Sequence, residues 1–177
     1  MADPLTVHER VLQTLRTEGQ AMLALAEGLN TDKSQRLAWA KAVELLIPCQ
    51  GHLVVSGMGK SGLVGAKISA TCSSLGLPSS FLHPSEAVHG DLGRIGPEDV
   101  ALLISNSGGT AEVVDLALHL RTDGVPTIGM SAHDDSPLAE SVSVHLRLAP
   151  PDATPDEACP WDLAPTTSTT LQLAAGD

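Results

Sequence analysis

Residues 99–112 have the sequence DVALLISNSGGTAE, and this stretch decides the predicted fold. Five apolar residues, 100–104, are followed at once by Ser-Asn-Ser-Gly-Gly-Thr, and apolar residues then return at helical spacing from Val113 to Leu120. A short apolar run that ends in a Gly/Ser turn before a helix is typical of a buried strand followed by a ligand-binding loop. The two glycines let the backbone approach a ligand, and the first N–H groups of the helix point into the same space.

The polar residues of this loop predict a site for phosphate or another anion. Ser105, Asn106, Ser107 and Thr110 supply hydroxyl and amide donors within six residues, and such donors at a helix start suit an anion. The alternative is that Ser, Asn, Gly and Thr are simply the residues of turns and helix N-caps. The concentration of donors directly after a buried strand favours the anion site.

The alternation of strand and helix continues on both sides of this stretch. It predicts βαβ units with right-handed crossovers, and therefore an α/β fold with a five-stranded parallel sheet sandwiched by helices. The predicted strands are 52–56, 79–83, 99–105, 126–131 and 142–148, and the predicted helices between them are 60–75, a short one in 85–90, 110–122 and a turn at 136–140.

Both ends of the chain carry helical patterns. Apolar residues at helical spacing predict one helix over 5–29 and a second that Thr31-Asp32 can cap and Pro48 closes. We expect residues 1–48 to form a helical pair that packs on the domain or on a partner subunit. A last helix is predicted to begin near Thr166, after a segment rich in proline.

The composition argues against several classes of function. The formal net charge is -11 at pH 7, which argues against a general nucleic-acid binder or a peripheral membrane protein. No apolar run approaches the roughly 18 residues of a membrane span, and the N-terminus lacks the layout of a signal peptide. Cys49, Cys72 and Cys159 are odd in number and in no CxxC arrangement, which predicts reduced thiols in a cytoplasmic protein.

A second glycine-rich turn, GMGKSG at 57–62, follows the first predicted strand. It fits G-x-G-x-x-G, but a dinucleotide site also requires an acidic residue about twenty positions on, and the second strand ends at His83 without a carboxylate. The P-loop pattern fails because its leading glycine falls on Val54. What remains is a second anion-binding turn that carries Lys60. Since the first and third strands can lie side by side at a switch point, both loops can face one ligand.

Three further groups of residues leave alternatives open. Residues 83–91, HPSEAVHGD, hold two imidazoles and two carboxylates. They suit either a metal site or the polar wall of an active site, although their spacing matches no ligand signature. Glu112 lies in the first turn of its helix, where a carboxylate complements the helix dipole. Glu157 precedes the hydroxyl-rich stretch 166–170, and it is either held near those donors or solvated in a loop.

Four motifs, in order, resemble the sugar isomerase (SIS) domain of arabinose-5-phosphate isomerases: GMGKSG, HPSEAVHGDLG, ISNSGGTAE and EACPWDLAPTTSTT. The resemblance covers about residues 5–177. It implies a flavodoxin-like three-layer fold with a phosphosugar bound at the strand ends. It also implies interconversion of D-ribulose 5-phosphate and D-arabinose 5-phosphate through a cis-enediol, at the entry to the octulosonate sugar of lipopolysaccharide or capsule. No redox cofactor and no metal are expected. The chain is expected to form a homo-oligomer, either a dimer or a tetramer.

The resemblance also implies roles for individual residues. The carboxylate of Glu157 is the expected base, Lys60 meets the sugar or its developing oxyanion, and Glu112 has a positioning role. His89 is expected to face the site from its own or a neighbouring subunit. The phosphate is expected on the two glycine-rich turns and the start of the last helix, at Gly59, Ser61, Ser105, Asn106, Ser107, Thr110, Thr167 and Ser168.

The chain departs from the family pattern at its C-terminal end. Residues 49–177 are expected to form an SIS domain that is cut short, because family members continue through a Ser-His-Pro-Gly-Gly segment whose histidine takes part in catalysis. The pair of CBS modules of many members is also missing from this sequence. We therefore expect the chain to bind the phosphosugar and to isomerise it poorly or not at all. The alternatives are an isomerase of another phosphosugar, such as a phosphohexulose or phosphoheptose, and a non-catalytic SIS module that senses a sugar phosphate.

Overall fold

A parallel sheet of five strands forms the centre of the fold in the computed structural model, which describes residues 4–149 and 164–177. The order of strands is β2-β1-β3-β4-β5, and every neighbouring pair is parallel. The predicted sheet is therefore confirmed, and its switch point lies between β1 and β3. The strands are β1 (Leu53–Gly57), β2 (Ser79–Phe81), β3 (Val100–Ile104), β4 (Thr127–Ser131) and β5 (Val144–Arg147).

Helices cover the sheet close to where the sequence predicts them. The second strand is shorter than predicted and ends at Phe81, because Pro84 opens a short helix and Leu82-His83 lead into it. A 3-10 turn at Asp91–Arg94 follows that helix, and the sequence did not indicate it. The helices are α1 (Pro4–Thr31), α2 (Lys33–Leu46), α3 (Gly59–Ser74), α4 (Pro84–Val88), α5 (Ala111–Thr122), α6 (Pro137–Ser141) and α7 (Thr166–Gly176).

The central strands are apolar throughout because both of their faces are buried. All residues of β1, β3 and β4 are buried. Alternate residues enter two separate cores: Leu102 packs in the core that includes Ile68 of α3, and Leu103 in the core that includes Leu116 of α5. This arrangement explains why the strand in 99–112 is a continuous apolar run rather than an alternating one.

The two N-terminal helices pack on the domain. The first, α1, lies along α7, and α2 lies against β5. Asp32 caps α2 and accepts hydrogen bonds from the backbone N–H groups of Ser34 and Gln35. Along its length α1 also leaves apolar side chains exposed, among them Val7, Val11, Leu15, Met22 and Leu23.

Within residues 4–149 and 164–177, no helix combines the length and the apolar character that crossing a membrane requires.

Candidate functional site

The two glycine-rich loops meet at one edge of the sheet. Gly57 at the end of β1 is paired with Ile104 at the end of β3, so the loops that follow these strands start side by side, as predicted. A Cβ on Gly62 would lie 2.4 Å from the carbonyl oxygen of Gly57. Glycine at position 62 therefore lets α3 begin directly against the end of β1.

A cavity of about 300 Å³ lies between these loops and the start of α7. This volume is at the lower end of the range for small-molecule pockets, about 300–1,000 Å³. Most of its lining side chains are hydroxyl, amide or amine groups, and Lys60 is the one cation among the described lining residues. The lining residues are Met58, Lys60, Ser61, Ile104, Ser105, Asn106, Ser107, Thr110, Pro165 and Ser168.

Three helix N-termini supply residues to this cavity. Lys60 and Ser61 belong to the first turn of α3, Thr110 is the N-cap of α5, and Ser168 lies in the first turn of α7. Among the described residues, the N-cap residue of each of these three helices makes no side-chain capping hydrogen bond. Since each N-terminus carries about half a positive charge, their uncapped ends make the cavity attractive to an anion.

The loop after β3 leaves three of its backbone donors without a partner among the described residues. The hydroxyl of Thr110 does not cap its own helix but pairs with that of Ser105, at 2.9 Å. Gly108 has a φ of 66° and donates its N–H to the carbonyl of Ser105 at 3.0 Å. No hydrogen bond within the described residues uses the backbone N–H groups of Asn106, Ser107 or Thr110. Turn and cap formation alone therefore does not account for this composition, and successive free N–H groups are a known arrangement for anions.

The start of α7 holds buried hydroxyls without partners. Thr167 is 2 % exposed and Ser168 is 3 % exposed. Their hydroxyl oxygens, and that of Thr166, accept or donate no hydrogen bond in the described structure. A buried polar group without a partner costs about 1–3 kcal/mol, and such groups in native proteins often belong to a ligand site. An oxyanion beside Ser168 would satisfy its hydroxyl.

The structure brings together most of the predicted binding residues and leaves other predicted residues outside the cavity lining. Gly59 and Thr167 adjoin lining residues without being among them. Glu112 is partly exposed in the first turn of α5, and His89 is exposed just after α4. Glu157 lies outside the described residues, so its predicted role stays a prediction.

Three apolar residues of the lining were not predicted. Met58 is the second residue of the GMGKSG turn, Ile104 is the last residue before the other glycine-rich loop, and Pro165 precedes α7. The sequence indicates that these three residues line the cavity only through their positions in or next to the predicted loops. Among the described residues, no group of three or more His, Cys, Asp or Glu side chains has an arrangement that could hold a metal ion.

The fold and this site place the chain among the sugar isomerase domains. Residues 46–177 match the SIS domain family, and the chain belongs to that family. It is 45 % identical over 167 residues to "Arabinose 5-phosphate isomerase KpsF" of Escherichia coli, which covers 94 % of this chain and 50 % of the relative. It is 51 % identical over 139 residues to "Arabinose 5-phosphate isomerase KdsD" of Pseudomonas aeruginosa, with 78 % of this chain and 41 % of the relative covered.

A solved structure agrees with the fold. The E. coli CFT073 protein c3406, in complex with arabinose 5-phosphate, superposes with a TM-score of 0.85 at 34 % identity. The match covers 99 % of this chain and 88 % of that one. The chain spans about half the length of the curated relatives it matches, 50 % and 41 % in the two cases above.

Proposed function

We propose that this chain is an aldose–ketose isomerase domain that interconverts D-arabinose 5-phosphate and D-ribulose 5-phosphate. The observation that carries the proposal is the cavity at the β1/β3 switch point. Within the part of the chain that the structure describes, three helix N-termini without side-chain caps converge there, beside a Ser168 hydroxyl that has no partner. The names of the relatives, arabinose 5-phosphate isomerases, support the choice of sugar.

The phosphate would bind to the loop after β3. Asn106, Ser107 and Thr110 line the cavity and have free N–H groups among the described residues, and a phosphate there would bring charge and accept several hydrogen bonds. The hydroxyls of Ser61 and Ser168 approach from the other two helices. Binding by neutral donors and helix ends suits a phosphate that must be released after each turnover, since each such contact is modest.

The chemistry that remains is a proton transfer between neighbouring carbons. A base removes the C2 proton of the aldose, the C1 carbonyl oxygen takes up the negative charge and then a proton, and a cis-enediol forms. Return of a proton to C1 and loss of the O2 proton then give the ketose. Because the electrons stay within the sugar, no external oxidant takes part. A carboxylate base and a nearby cation supply what this transition state needs.

We assign the base to Glu157 and the cation to Lys60. Lys60 is exposed in the first turn of α3 and lines the cavity, so its ammonium group can reach an oxyanion on the sugar. The assignment of Glu157 rests on its place in the sequence, before the hydroxyl-rich start of α7. Neither Glu112 nor His89 lines the cavity within one described chain. We propose a positioning role for Glu112, and for His89 a contact with the sugar from its own or a neighbouring subunit.

Proton NMR of arabinose 5-phosphate in deuterium oxide tests the proposal. We expect exchange of the C2 proton and slow formation of ribulose 5-phosphate. Glu157→Gln should reduce turnover by about 100-fold, the usual cost of a lost general base, while the affinity stays within a few-fold. Glu98→Gln is the matched control, because Glu98 is an exposed carboxylate just before β3, at the opposite edge of the sheet. Full-rate exchange in Glu157→Gln would show that the base lies elsewhere.

The same experiment separates the two alternatives. Binding of arabinose 5-phosphate without any C2 exchange favours a sensor that only binds the sugar phosphate. Exchange with a hexulose or heptose phosphate, but not with arabinose 5-phosphate, favours an isomerase of another phosphosugar. The product arabinose 5-phosphate is proposed to serve the octulosonate sugar of lipopolysaccharide or capsule.

We also propose a homo-oligomer, a dimer or a tetramer. Val7, Val11 and Leu15 lie on one face of α1 at helical spacing, and each is about half exposed or more. A second copy that covers this stripe would remove apolar area from water, and light scattering at micromolar concentration tests it. A cytoplasmic location is proposed as well. Cys49 and Cys72 are free thiols in the described structure, as is usual in that compartment.

A further inference from the structure

The phosphate-binding loop, residues 105–110, rests on the segment that follows β4. Ser105 donates its N–H to the carbonyl of Met130 at 3.0 Å, and the carbonyl of Asn106 accepts from Ala132 at 2.8 Å. Gly108 contacts Ser136 so closely that a Cβ on Gly108 would lie 2.2 Å from the Ser136 hydroxyl oxygen. The back of the loop is therefore in direct contact with two serines, Ser136 and Ser131, whose hydroxyl oxygens lie 3.0 Å apart.

A largely buried histidine contacts one of these serines on the side away from the loop. The Nε2 atom of His145, on β5, lies 2.7 Å from the hydroxyl oxygen of Ser131. Its Nδ1 atom lies 3.3 Å from a carboxylate oxygen of Asp134, in the loop after β4. The His145 side chain is 11 % exposed. Thus the contacts Asp134–His145–Ser131–Ser136–Gly108 lead from the edge of the sheet to the loop of the candidate phosphate site.

Ser131, His145 and Asp134 contact one another in the same order as the residues of a hydrolytic Ser-His-Asp triad. Unlike a catalytic serine, however, Ser131 is not accessible to a substrate. Ser131 is 1 % exposed, and its hydroxyl also contacts Ser136 and the carbonyl of His133, at 3.1 Å. An attacking oxygen must reach a substrate carbonyl, and this one is enclosed. The hydrogen bonds of Ser131 instead fix the position of the neighbours on which the loop rests.

Charged residues hold Asp134 in place. Arg147 donates hydrogen bonds to Asp134 and to Asp32, the N-cap of α2. Gln35 donates its amide N–H to Asp134 at 3.3 Å and accepts the backbone N–H of Arg147 at 3.0 Å. The charged groups around His145 are therefore Asp134, Arg147 on its own strand, and Asp32 beyond Arg147. The first turn of α2 and the end of β5 are tied to the same network.

We propose that His145 is a positioning residue for the phosphate-binding loop 105–110, on which it acts through Ser131 and Ser136. The ligand class, a sugar phosphate, rests on the proposed function, whereas the mechanical support of the loop does not. His145 does not line the cavity, so its effect on the ligand must pass through the serines.

The donors and acceptors around the Ser131 hydroxyl define the role of His145. Ser131 has one hydroxyl proton and three acceptors in reach: His145 Nε2, Ser136 Oγ and the carbonyl of His133. With Nδ1 protonated toward Asp134, Nε2 accepts the Ser131 proton at the shortest of these distances. The Ser136 hydroxyl then donates to the carbonyl of His133 at 2.8 Å and presents a fixed surface to Gly108. Without an acceptor at position 145, the Ser131 hydroxyl donates to Ser136 or to the carbonyl of His133 instead. The hydrogen bonds of Ser131 and Ser136 then have more than one possible arrangement, and the loop loses its fixed support.

Amide hydrogen exchange of the ligand-free chain tests the support directly. His145→Leu fills a similar volume with an apolar side chain and removes both ring nitrogens. Ser131→Ala removes the hydroxyl that contacts His145. In each variant we expect the hydrogen-bonded amides of the loop, those of Ser105, Gly108 and Gly109, to exchange about tenfold faster, the ratio expected for one lost buried hydrogen bond, with the amides of β1 unchanged. His145→Gln should stay near the wild type, because it keeps a hydrogen-bonding group in reach of Ser131. His119→Gln, at an exposed histidine of α5, is the control.

The outcomes separate support of the loop from a general effect on stability. Equal acceleration in β1 and in 105–110, or unchanged exchange of the loop in His145→Leu, overturns the proposal. Loosening of the loop by His145→Gln as much as by His145→Leu also overturns it, since the hydrogen bond to Ser131 would not be the route. Titration of arabinose 5-phosphate then gives the consequence for the ligand. We expect about tenfold weaker binding in His145→Leu and near wild-type binding in His145→Gln. If the wild type binds no sugar phosphate, the proposed function fails, and the exchange rates still decide the role of His145.

Discussion

Gly108 is the residue of the loop at which an added methyl group should lower the stability of the fold most. Its φ of 66° lies in the left-handed region, where an L-residue costs about 1–2 kcal/mol. The added Cβ of Gly108→Ala would also lie 2.2 Å from the hydroxyl oxygen of Ser136 and 2.4 Å from its Cβ. Overpacking of this kind costs about 1–3 kcal/mol. We therefore expect Gly108→Ala to lower the free energy of unfolding by about 2–5 kcal/mol.

The neighbouring glycine is a matched control. A Cβ on Gly109 meets only the hydroxyl oxygen of Ser107, at 3.9 Å, and its φ is not positive. Gly109→Ala should therefore leave the stability unchanged or raise it by about 0.4–1 kcal/mol, because it restricts the unfolded chain. Urea unfolding followed by circular dichroism measures both variants. Equal stability of Gly108→Ala and Gly109→Ala would refute the packing of the loop against Ser136.

Buried groups give three further predictions. Ser168→Ala should leave the stability unchanged or slightly higher, since its hydroxyl has no partner among the described residues, yet weaken arabinose 5-phosphate binding by about 1–3 kcal/mol in calorimetric titration. Lost stability with unchanged affinity would contradict this. Asp99→Ala should lower the free energy of unfolding by about 3 kcal/mol, since the buried carboxylate accepts the N–H groups of His52 at 2.6 Å and Gly96 at 2.7 Å. Urea unfolding with Glu98→Ala as control checks it, and equal midpoints would count against it. Burial lowers the pKa of His145 below its ordinary value, although Asp134 opposes the shift. The unfolded chain therefore takes up this proton first, so the wild type should lose stability relative to His145→Gln as the pH falls below about 6.5; parallel pH profiles would be the contrary result.

The sheet could be predicted from the sequence because burial on both faces leaves an apolar run that is hard to mistake. The runs at β1, β3 and β4 are of this kind. The second strand was predicted two residues too long, because the local apolar pattern of 79–83 does not record that Pro84 opens a helix. Strand ends depend on such neighbours more than on propensity.

The loop that lines the site could be predicted from the sequence, whereas the residues that pack behind the loop could not. Ser105 to Thr110 are contiguous, and their composition identifies them as a loop of donors. Their support depends on Ser136 and His145, which the chain brings to the loop only by folding through β4 and β5. Nor does local sequence distinguish Thr110 as a cap from Thr110 as a partner of Ser105, since both uses need the same residue type.

The central claim is that a sugar phosphate binds where β1, β3 and the start of α7 meet. Titration of the 15N-labelled chain with arabinose 5-phosphate, followed through its amide NMR signals, tests this most directly. We predict saturable shifts for residues 105–110 and for the first turns of α3 and α7, with small changes at residues 51–53 and 98–100 on the opposite edge. Shifts confined to that opposite edge, or no shifts at millimolar ligand, would contradict the account.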